Sequence, residues 1–316
     1  MNNIFLLGEC MIELMNSSPN TFKQSYAGDT FNTAVYLKRV FNQNKVHFIT
    51  ALGTDAYSEN MRNYFQQENI ETEFLFQSKD KIPGLYAIQT DDNGERSFTY
   101  WRENSAARQV MQHLNDEIVN QIAQGDVLFF SGISLAVIQS KDREQFWSFI
   151  KKLKAAQVQI VFDPNYRPRM WDSTEQAKQQ FELAFSYADV ALPGVDDFQQ
   201  LYSLTCVEEI IEFLQPFDFQ ELIIKDGAKN ISWLADNQLH QFTIEAASNV
   251  VDTTSAGDAF NGVYLGARAQ GFSISNAIAL AAKTAALVIQ HQGAIVSSTE
   301  FQHFIKTQLT LPIKPV

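Results

Sequence analysis

A run of small and polar residues at positions 250–260 has the composition of a phosphate-binding loop. It reads Val-Val-Asp-Thr-Thr-Ser-Ala-Gly-Asp-Ala-Phe, and a helical pattern follows directly. The first N–H groups of a helix lack partners within the helix, and with the positive end of the helix dipole they attract anions. Gly257 has no Cβ, so its backbone can approach a phosphate closely. This run therefore predicts an anion site at the start of a helix.

Asp258 brings a carboxylate to the place where that anion would lie. A carboxylate beside a phosphate is unfavourable unless it does chemical work, such as taking a proton from an attacking hydroxyl group. The alternative is that Asp258 only caps the helix, and the local pattern alone favours this cap. The chain has neither Gly-x-x-x-x-Gly-Lys-Ser/Thr nor a Gly-x-Gly-x-x-Gly motif after its first predicted strand. These absences count against a P-loop kinase and against a dinucleotide-dependent dehydrogenase.

The overall charge restricts the kind of partner. The chain has 24 Lys and Arg against 36 Asp and Glu, which gives a formal net charge of −12. An acidic chain repels nucleic-acid phosphates, so we expect no nucleic-acid partner. An anionic small substrate would need local arginines, whose planar fork pairs with a carboxylate through two hydrogen bonds. Arg102 and Arg167 lie at predicted functional ends and are the candidates, although each could also be a solvated surface arginine.

Cysteine usage and hydropathy predict a cytoplasmic protein. Cys10 and Cys206 form no Cys-x-x-Cys motif, so neither a disulfide framework nor a zinc site is expected. The first apolar run stops at Leu7, which is too short for a signal peptide or a membrane helix. No other segment reaches membrane-spanning length, so we expect no membrane partner. In a cytoplasmic protein we expect both cysteines to be reduced thiols.

Short apolar runs alternate with helical patterns along the chain. The runs are 4–7, 127–130, 160–162, 190–192 and 222–224, and each ends in polar or small residues. Continuous rather than alternating apolar runs are typical of strands that are covered on both faces. Helical patterns lie between and after them, at 142–156, 174–188, 259–270 and 275–290. This rhythm predicts an α/β fold with an open, mostly parallel sheet flanked by helices, in which ligands bind beyond the carboxyl ends of the strands.

Two stretches, 11–26 and 71–103, depart from this rhythm and have little helical pattern. Within the second, an Asp-Asp-Asn-Gly turn signal at 91–94 separates the strand-like segments 85–90 and 97–101. We expect the two stretches to form a small β-sheet lid on a single domain that spans 1–316; ordinary loops are the alternative. Such a sheet presents apolar surface, so we also expect a homodimer or a higher homo-oligomer.

Motifs along most of the chain, from Gly8 to about Val296, resemble the PfkB or ribokinase-like carbohydrate kinases. The run 252–258 is similar to the family signature Asp-Thr-x-Gly-Ala-Gly-Asp, with Ser255 in place of a glycine. The segment 8–14, Gly-Glu-Cys-Met-Ile-Glu-Leu, looks like the opening of the 2-keto-3-deoxygluconate kinases within this family. Further family-like segments follow in order at 27–33, 51–55, 83–86, 94–102, 131–134 and 162–168.

The resemblance implies a role for each candidate residue. Asp258 would be the general base, and the backbone of Ala256, Gly257 and Asp258 would stabilise the transferring phosphoryl group. The acid end of a sugar acid would contact Tyr86, Tyr100, Arg102 and Arg167, and its hydroxyl end Gly28, Asp29 and Asn32. ATP would contact Asn165, Arg167, Lys225, Gly227, Ser255, Ala256 and Gly257, with the adenine near Ala281 and Ala282.

Magnesium handling is where the chain departs from the family. The family's Asn-x-x-Glu motif, which is linked to Mg2+, corresponds to residues 194–197, where Gly194 and Asp197 replace the Asn and the Glu. Asp197 is therefore the candidate metal residue, acting through water because its side chain is shorter.

The resemblance also implies a reaction: ATP-dependent phosphorylation of 2-keto-3-deoxy-D-gluconate at the 6-hydroxyl, giving 2-keto-3-deoxy-6-phosphogluconate. One alternative is another PfkB sugar kinase, such as a fructokinase or a keto-deoxygalactonate kinase. A neutral sugar would not need both Arg102 and Arg167. A second alternative is a non-catalytic sugar-acid sensor on the same fold, which would not need to keep Asp258.

Overall fold

The computed structural model describes residues 2–18, 21–90, 96–235, 238–247 and 249–309. Within these residues the strands are β1 Asn3–Leu7, β2 Met11–Ser18, β3 Thr21–Ala27, β4 Lys45–Leu52, β5 Leu75–Gln77, β6 Leu85–Thr90, β7 Arg96–Trp101, β8 Val127–Ser131, β9 Gln159–Asp163, β10 Val190–Ala191, β11 Glu221–Asp226, β12 Asn230–Ala235 and β13 Gln238–Thr243. The helices are α1 Asp29–Val40, α2 Ala56–Gln67, α3 Asp116–Ile122, α4 Gly132–Val137, α5 Arg143–Ala155, α6 Thr174–Tyr187, α7 Val195–Tyr202, α8 Val207–Leu214, α9 Ala256–Ala269, α10 Ile274–Val288 and α11 Ser298–Thr307.

The large sheet has the strand order β13-β12-β11-β10-β9-β8-β1-β4-β5. From β11 to β5 all neighbours are parallel, whereas β12 and β13 continue antiparallel at one edge. The five predicted strand runs all lie in the parallel part, which confirms the predicted mostly parallel sheet. The antiparallel edge was not predicted, because β13 is largely exposed and carries no continuous apolar run.

Helices cover both faces of this sheet. In β1, Ile4 and Leu6 point into one core, with residues of α1, α9 and α10. Phe5 and Leu7 point into the other core, with residues of α5 and α6. Successive side chains of a strand point to opposite faces, so a strand covered on both sides must be apolar at every position. This is the physical reason why the continuous apolar runs located the central strands.

The small sheet has the order β3-β2-β6-β7, with β2 and β6 parallel and the other pairs antiparallel. Its own core contains Met11, Ala27, Tyr86, Ile88 and Ala294. The predicted lid segment 71–103 began too early in the chain, since its first strand, β5, pairs with β4 at the edge of the large sheet. Leu75 is buried in the main core there, and this burial fixes the segment. The predicted turn at 91–94 lies outside the described residues.

Helix α9 begins three residues before its predicted start. Ser255 precedes it in the left-handed conformation, with φ of 66°, and Asp258 lies in its first turn. Helix α10 packs closely against α9. Ala281 and Ala282 are buried in that core, so their side chains pack against protein atoms. Their expected place near the adenine stays a prediction. None of the helices in the described part of the chain combines the length and the apolar composition that a membrane span needs.

Candidate active site

Four aspartates from four different elements converge beyond the carboxyl ends of the central strands. Asp163 ends β9, and Asp29, Asp197 and Asp258 lie in the first turns of α1, α7 and α9. Helix N-termini favour carboxylates, because the first N–H groups and the helix dipole present positive charge there. Burial raises the pKa values of Asp29, Asp197 and Asp258, and the negative charge of Asp163 adds to each rise, which places the four side chains in one electrostatic unit.

Asp258 is half-buried, and its environment holds its pKa far above that of an exposed aspartate. The Asn32 amide donates a hydrogen bond of 2.8 Å to its Oδ2. Burial and then the negative charge of Asp29 raise the pKa of Asp258 to about 7, against hydrogen bonds from Asn32 and Ser255 that lower it. A carboxyl with a pKa near neutrality can both accept and release a proton, as a general base must.

This raised pKa gives a stability prediction. Asp258 binds its proton more tightly in the folded than in the unfolded chain, so its contribution to stability is full below pH 4 and is lost as the pH rises to about 7. An Asp258→Asn variant carries no charge and escapes this loss. We expect it to exceed the wild type in free energy of unfolding by on the order of 1–4 kcal/mol at pH 8. Urea unfolding of both proteins at pH 5 and pH 8 measures this; a gap that does not widen with pH would contradict the assigned pKa.

The loop before α9 is held in place by Asp252. One of its carboxylate oxygens accepts the N–H of Thr254 at 2.8 Å, and the other accepts the N–H of Gly293 at 2.8 Å. A Cβ added to Gly257 would meet no protein atom within 4 Å, so this turn of the helix faces open space. The N–H of Ala256 makes a long contact of 3.4 Å with the carbonyl of Thr253. The loop therefore leaves the start of α9 facing open space at the place where the sequence predicts an anion site.

Lys225 lies inside the site rather than on an exposed nucleotide loop. Its Nζ is 3.3 Å from Asp163 and 3.1 Å from Oδ1 of Asn261, and its side chain is 14% exposed. Asn261 also donates a 2.7 Å hydrogen bond to Asp163. Sequence reasoning missed Asp163 and Asn261 as site residues. The signals were available, because Asp163 directly follows a predicted strand and Asn261 lies one helical turn after Asp258.

Lys225 and Asp163 link the predicted nucleotide loop to α9. Since Lys225 is a half-buried cation among several carboxylates, it offsets part of their mutual repulsion. Gly227, two residues further on, is exposed in the left-handed conformation, with φ of 53°, and forms the turn after β11. The structure thus places Gly227 at the surface of the predicted loop and Lys225 beneath it.

Asp29 and Asp197 hold the segment that follows β9. Asp29 accepts hydrogen bonds from Ser131 at 2.5 Å and from Asn165 at 2.9 Å. Asp197 accepts the backbone N–H groups of Tyr166 at 2.8 Å and of Gly194 at 3.1 Å. Burial, followed by the negative charge of Asp163, raises the pKa of Asp197 to about 6. These bonds position Asn165, which has φ of 34°, at the centre of the site.

The lid contributes Tyr86, Tyr100 and Arg102. Tyr86 and Tyr100 stack with ring centroids 5.6 Å apart, and the Tyr86 hydroxyl donates to Glu13. Arg102 donates from Nε at 2.9 Å and from Nη2 at 2.5 Å to Glu9, which directly follows Gly8 at the end of β1. Glu13 and Glu9 were not among the predicted site residues.

The predicted substrate residues are divided between two parts of the site. Gly28 precedes α1, and a Cβ there would lie 2.0 Å from the carbonyl oxygen of Glu9. Asp29 and Asn32 lie with Asp258, whereas Tyr100 belongs to lid strand β7 and Arg102 directly follows that strand. Arg167 is exposed, and within the described part of the chain its side chain donates only to the neighbouring carbonyl of Tyr166, at 2.8 Å. Its side chain is therefore free to turn toward a ligand.

In the described residues, no group of three or more His, Cys, Asp or Glu side chains is arranged to hold a metal ion. Asp163 and Asp197 each use both carboxylate oxygens in hydrogen bonds with protein atoms. A carboxylate has about four lone-pair sites, so each could still accept a metal-bound water. This donor set suits Mg2+, which keeps several waters and takes oxygen ligands from only one or two carboxylates and from phosphates.

Comparison with known proteins identifies similar chains. The family model described as pfkB family carbohydrate kinase matches residues 1–300. The 2-dehydro-3-deoxygluconokinase of Haemophilus influenzae is 39% identical over 309 residues, covering 96% of this chain and 98% of that protein. The crystal structure of 2-dehydro-3-deoxygluconokinase from Thermotoga maritima has a TM-score of 0.80 at 18% identity, and the match covers 97% of this chain and 100% of the Thermotoga chain. The crystal structure of fructokinase with bound ATP from Xylella fastidiosa has a TM-score of 0.79 at 23% identity, and the match covers 97% of this chain and 98% of the Xylella chain.

Proposed function

The chain belongs to the pfkB family of carbohydrate kinases, and from this premise we propose that it phosphorylates the 6-hydroxyl of 2-keto-3-deoxy-D-gluconate with ATP. 2-Dehydro-3-deoxygluconate is another name for the same sugar acid. The observation that carries the proposal is the pairing of a half-buried carboxyl of raised pKa, Asp258, with a lid arginine, Arg102, in one site. The first suits proton abstraction, and the second suits a substrate with a carboxylate.

The proposed reaction begins with the sugar acid lying between the lid and α9. Its acid end contacts Arg102, Arg167, Tyr86 and Tyr100, and its hydroxyl end contacts Gly28, Asp29 and Asn32. The C6 hydroxyl gives its proton to Asp258 while its oxygen attacks the γ-phosphorus of ATP in line. The bond between the γ-phosphorus and the bridging oxygen breaks, and ADP leaves. Asn32 donates to one oxygen of Asp258 and so orients the carboxylate for this step.

The N–H groups at the start of α9 stabilise the transferring phosphoryl group. Those of Ala256, Gly257 and Asp258 meet its developing negative charge, and the open space beside Gly257 lets phosphate approach them. The nucleotide contacts Asn165, Arg167, Gly227 and Ser255, with Lys225 beneath the turn. Mg2+ would be held through water by Asp197 and Asp163, and it would neutralise charge on the phosphates.

A non-catalytic sensor is less consistent with this site. Placing Asp258 beside Asp29 in a largely enclosed site lowers stability at neutral pH, since both carboxyls resist ionisation there. A sensor would gain nothing from this arrangement, whereas a kinase needs it for proton transfer. A neutral-sugar kinase is less consistent as well, because it has no need of Arg102 at this position.

The proposal is tested by coupled ADP release with Mg·ATP, comparing 2-keto-3-deoxygluconate with fructose and ribose. We expect a strong preference for the acid. Turnover of a neutral sugar alone would leave a pfkB kinase with a different substrate. Binding of the acid without any ADP release would favour the sensor.

A further inference from the structure

The lid arginine is anchored to the large sheet by a buried carboxylate that the reaction above does not use. Glu9 lies two residues after the end of β1, and its side chain is 1% exposed. Its Oε2 accepts both hydrogen bonds from the Nε and Nη2 edge of Arg102, which directly follows β7 of the lid. This ion pair therefore joins the two sheets at the point where the acid end of the substrate is proposed to lie.

The backbone around Glu9 is shaped to keep it in this position. A Cβ added to Gly84 would lie 2.8 Å from Oε1 of Glu9, and one added to Gly28 would lie 2.0 Å from its carbonyl oxygen. Two glycines of the site thus make room for this one residue, one on the lid side and one on the substrate loop. Oε1 is buried and has no hydrogen-bond partner within the part of the chain that the structure describes.

The pairing also decides which way the guanidinium points. Because Nε and Nη2 are held by Glu9, the group has no freedom to rotate, and Nη1 is directed to the sulfur of Met170 at 3.5 Å. Met170 lies three residues after Arg167, in the short helical turn Pro168–Met170. Arg102 therefore presents its remaining N–H groups toward the segment that carries the second predicted arginine.

We propose that Glu9 is a positioning residue for substrate specificity: it fixes Arg102 so that the guanidinium meets the carboxylate of a sugar acid in a prepared orientation. The inference rests on the proposed function, because it assumes an acid substrate. Preorganised donors bind more tightly than mobile ones, since no side-chain freedom is lost on binding. Without Glu9, the cation would turn toward solvent, and the acid would have to order it again.

The test is a double-mutant cycle of wild type, Glu9→Gln, Arg102→Ala and the double variant, with KM for 2-keto-3-deoxygluconate as the readout. The amide of Glu9→Gln keeps the shape but makes weaker, neutral hydrogen bonds. We expect KM for the acid to rise about tenfold, with KM for ATP and kcat at saturation within about twofold of wild type. In the Arg102→Ala background the same change should raise KM no further, because Glu9 acts only through Arg102.

A matched control comes from the other end of the sheet. Glu221, the first residue of β11, accepts Nε and Nη2 of Arg268 at the same 2.9 and 2.5 Å on one carboxylate oxygen. Glu221→Gln should lower the melting temperature and leave both KM values unchanged. If Glu9→Gln fails to fold, Gly84→Ala gives a second route, since its methyl group would lie 2.8 Å from Oε1 of Glu9 and 3.2 Å from Cβ of Arg102. It should disturb the pair and also raise KM for the acid.

The KM values of the variants test the positioning role of Glu9, and turnover of the acid by the wild-type enzyme tests the proposed function. An unchanged KM in Glu9→Gln, or an equal rise in the Arg102→Ala background, would overturn the positioning role while leaving the kinase intact. A wild-type enzyme that does not phosphorylate the acid would overturn the proposed function, and this inference with it.

Discussion

Asp258→Asn should lower kcat by on the order of 10²–10⁴, the usual contribution of a general base. The amide oxygen can still accept the hydrogen bond from Asn32, so the geometry of the first turn of α9 is expected to survive. What is lost is the ability to take the proton of the 6-hydroxyl. Steady-state turnover with saturating ATP and sugar acid measures the effect.

Binding provides the control for this variant. Isothermal titration should give Kd values for ATP and for the sugar acid within about threefold of wild type. The substitution keeps the size and shape of the side chain and removes only its ability to take a proton. The variant should also be the more stable protein at pH 8, for the reason given with its raised pKa. Full kcat in Asp258→Asn would exclude Asp258 as the base, whatever the binding data.

Arg102→Ala should raise KM for 2-keto-3-deoxygluconate about ten- to a hundredfold, since a charge-assisted hydrogen bond contributes about 1.5–3 kcal/mol. A neutral sugar offers no carboxylate, so KM for any neutral sugar that is turned over should change little. The variant should also lose stability, because it leaves Glu9 buried without its cation, at a cost of roughly 3–5 kcal/mol. Parallel KM measurements with the acid and with fructose give the comparison.

Arg268→Ala is the matched control for Arg102→Ala. It breaks a Glu–Arg pair of the same geometry at the amino end of β11, far from the carboxyl ends where the site lies. It should therefore cost stability without changing either KM. An Arg102→Ala variant whose KM values for acid and neutral sugar rise equally would remove the case for carboxylate recognition by this residue.

The central strands could be predicted because a strand that is buried on both faces is apolar at every position and appears in the sequence as a short continuous apolar run. Strand β5 could not be predicted in this way. It has three residues, and only its pairing with β4 and the burial of Leu75 place it in the large sheet. A short stretch of sequence around β5 does not show this pairing, since the partner strand lies more than twenty residues away.

The residues of the candidate site show the same difference between local sequence information and information that depends on a distant partner. Asp258 and the start of α9 were predictable from local pattern and family resemblance, because a small-residue loop and a helix start are continuous in sequence. Arg102 was predicted as a ligand for an acid, but its partner Glu9 lies 93 positions away, and only the fold brings the two together. Lys225 was placed on a nucleotide loop, whereas the structure directs its amino group inward to Asp163 and Asn261.

The carbon that receives the phosphoryl group distinguishes the proposed reaction from other sugar phosphorylations. The wild-type protein would be incubated with Mg·ATP and 2-keto-3-deoxygluconate, and the product examined by proton–phosphorus correlation NMR. We expect one sugar phosphate, formed in equal amount to ADP, whose phosphorus couples to the two protons of the C6 methylene group. A phosphorus coupled to any other carbon's protons, or ADP formed with inorganic phosphate alone, would contradict it.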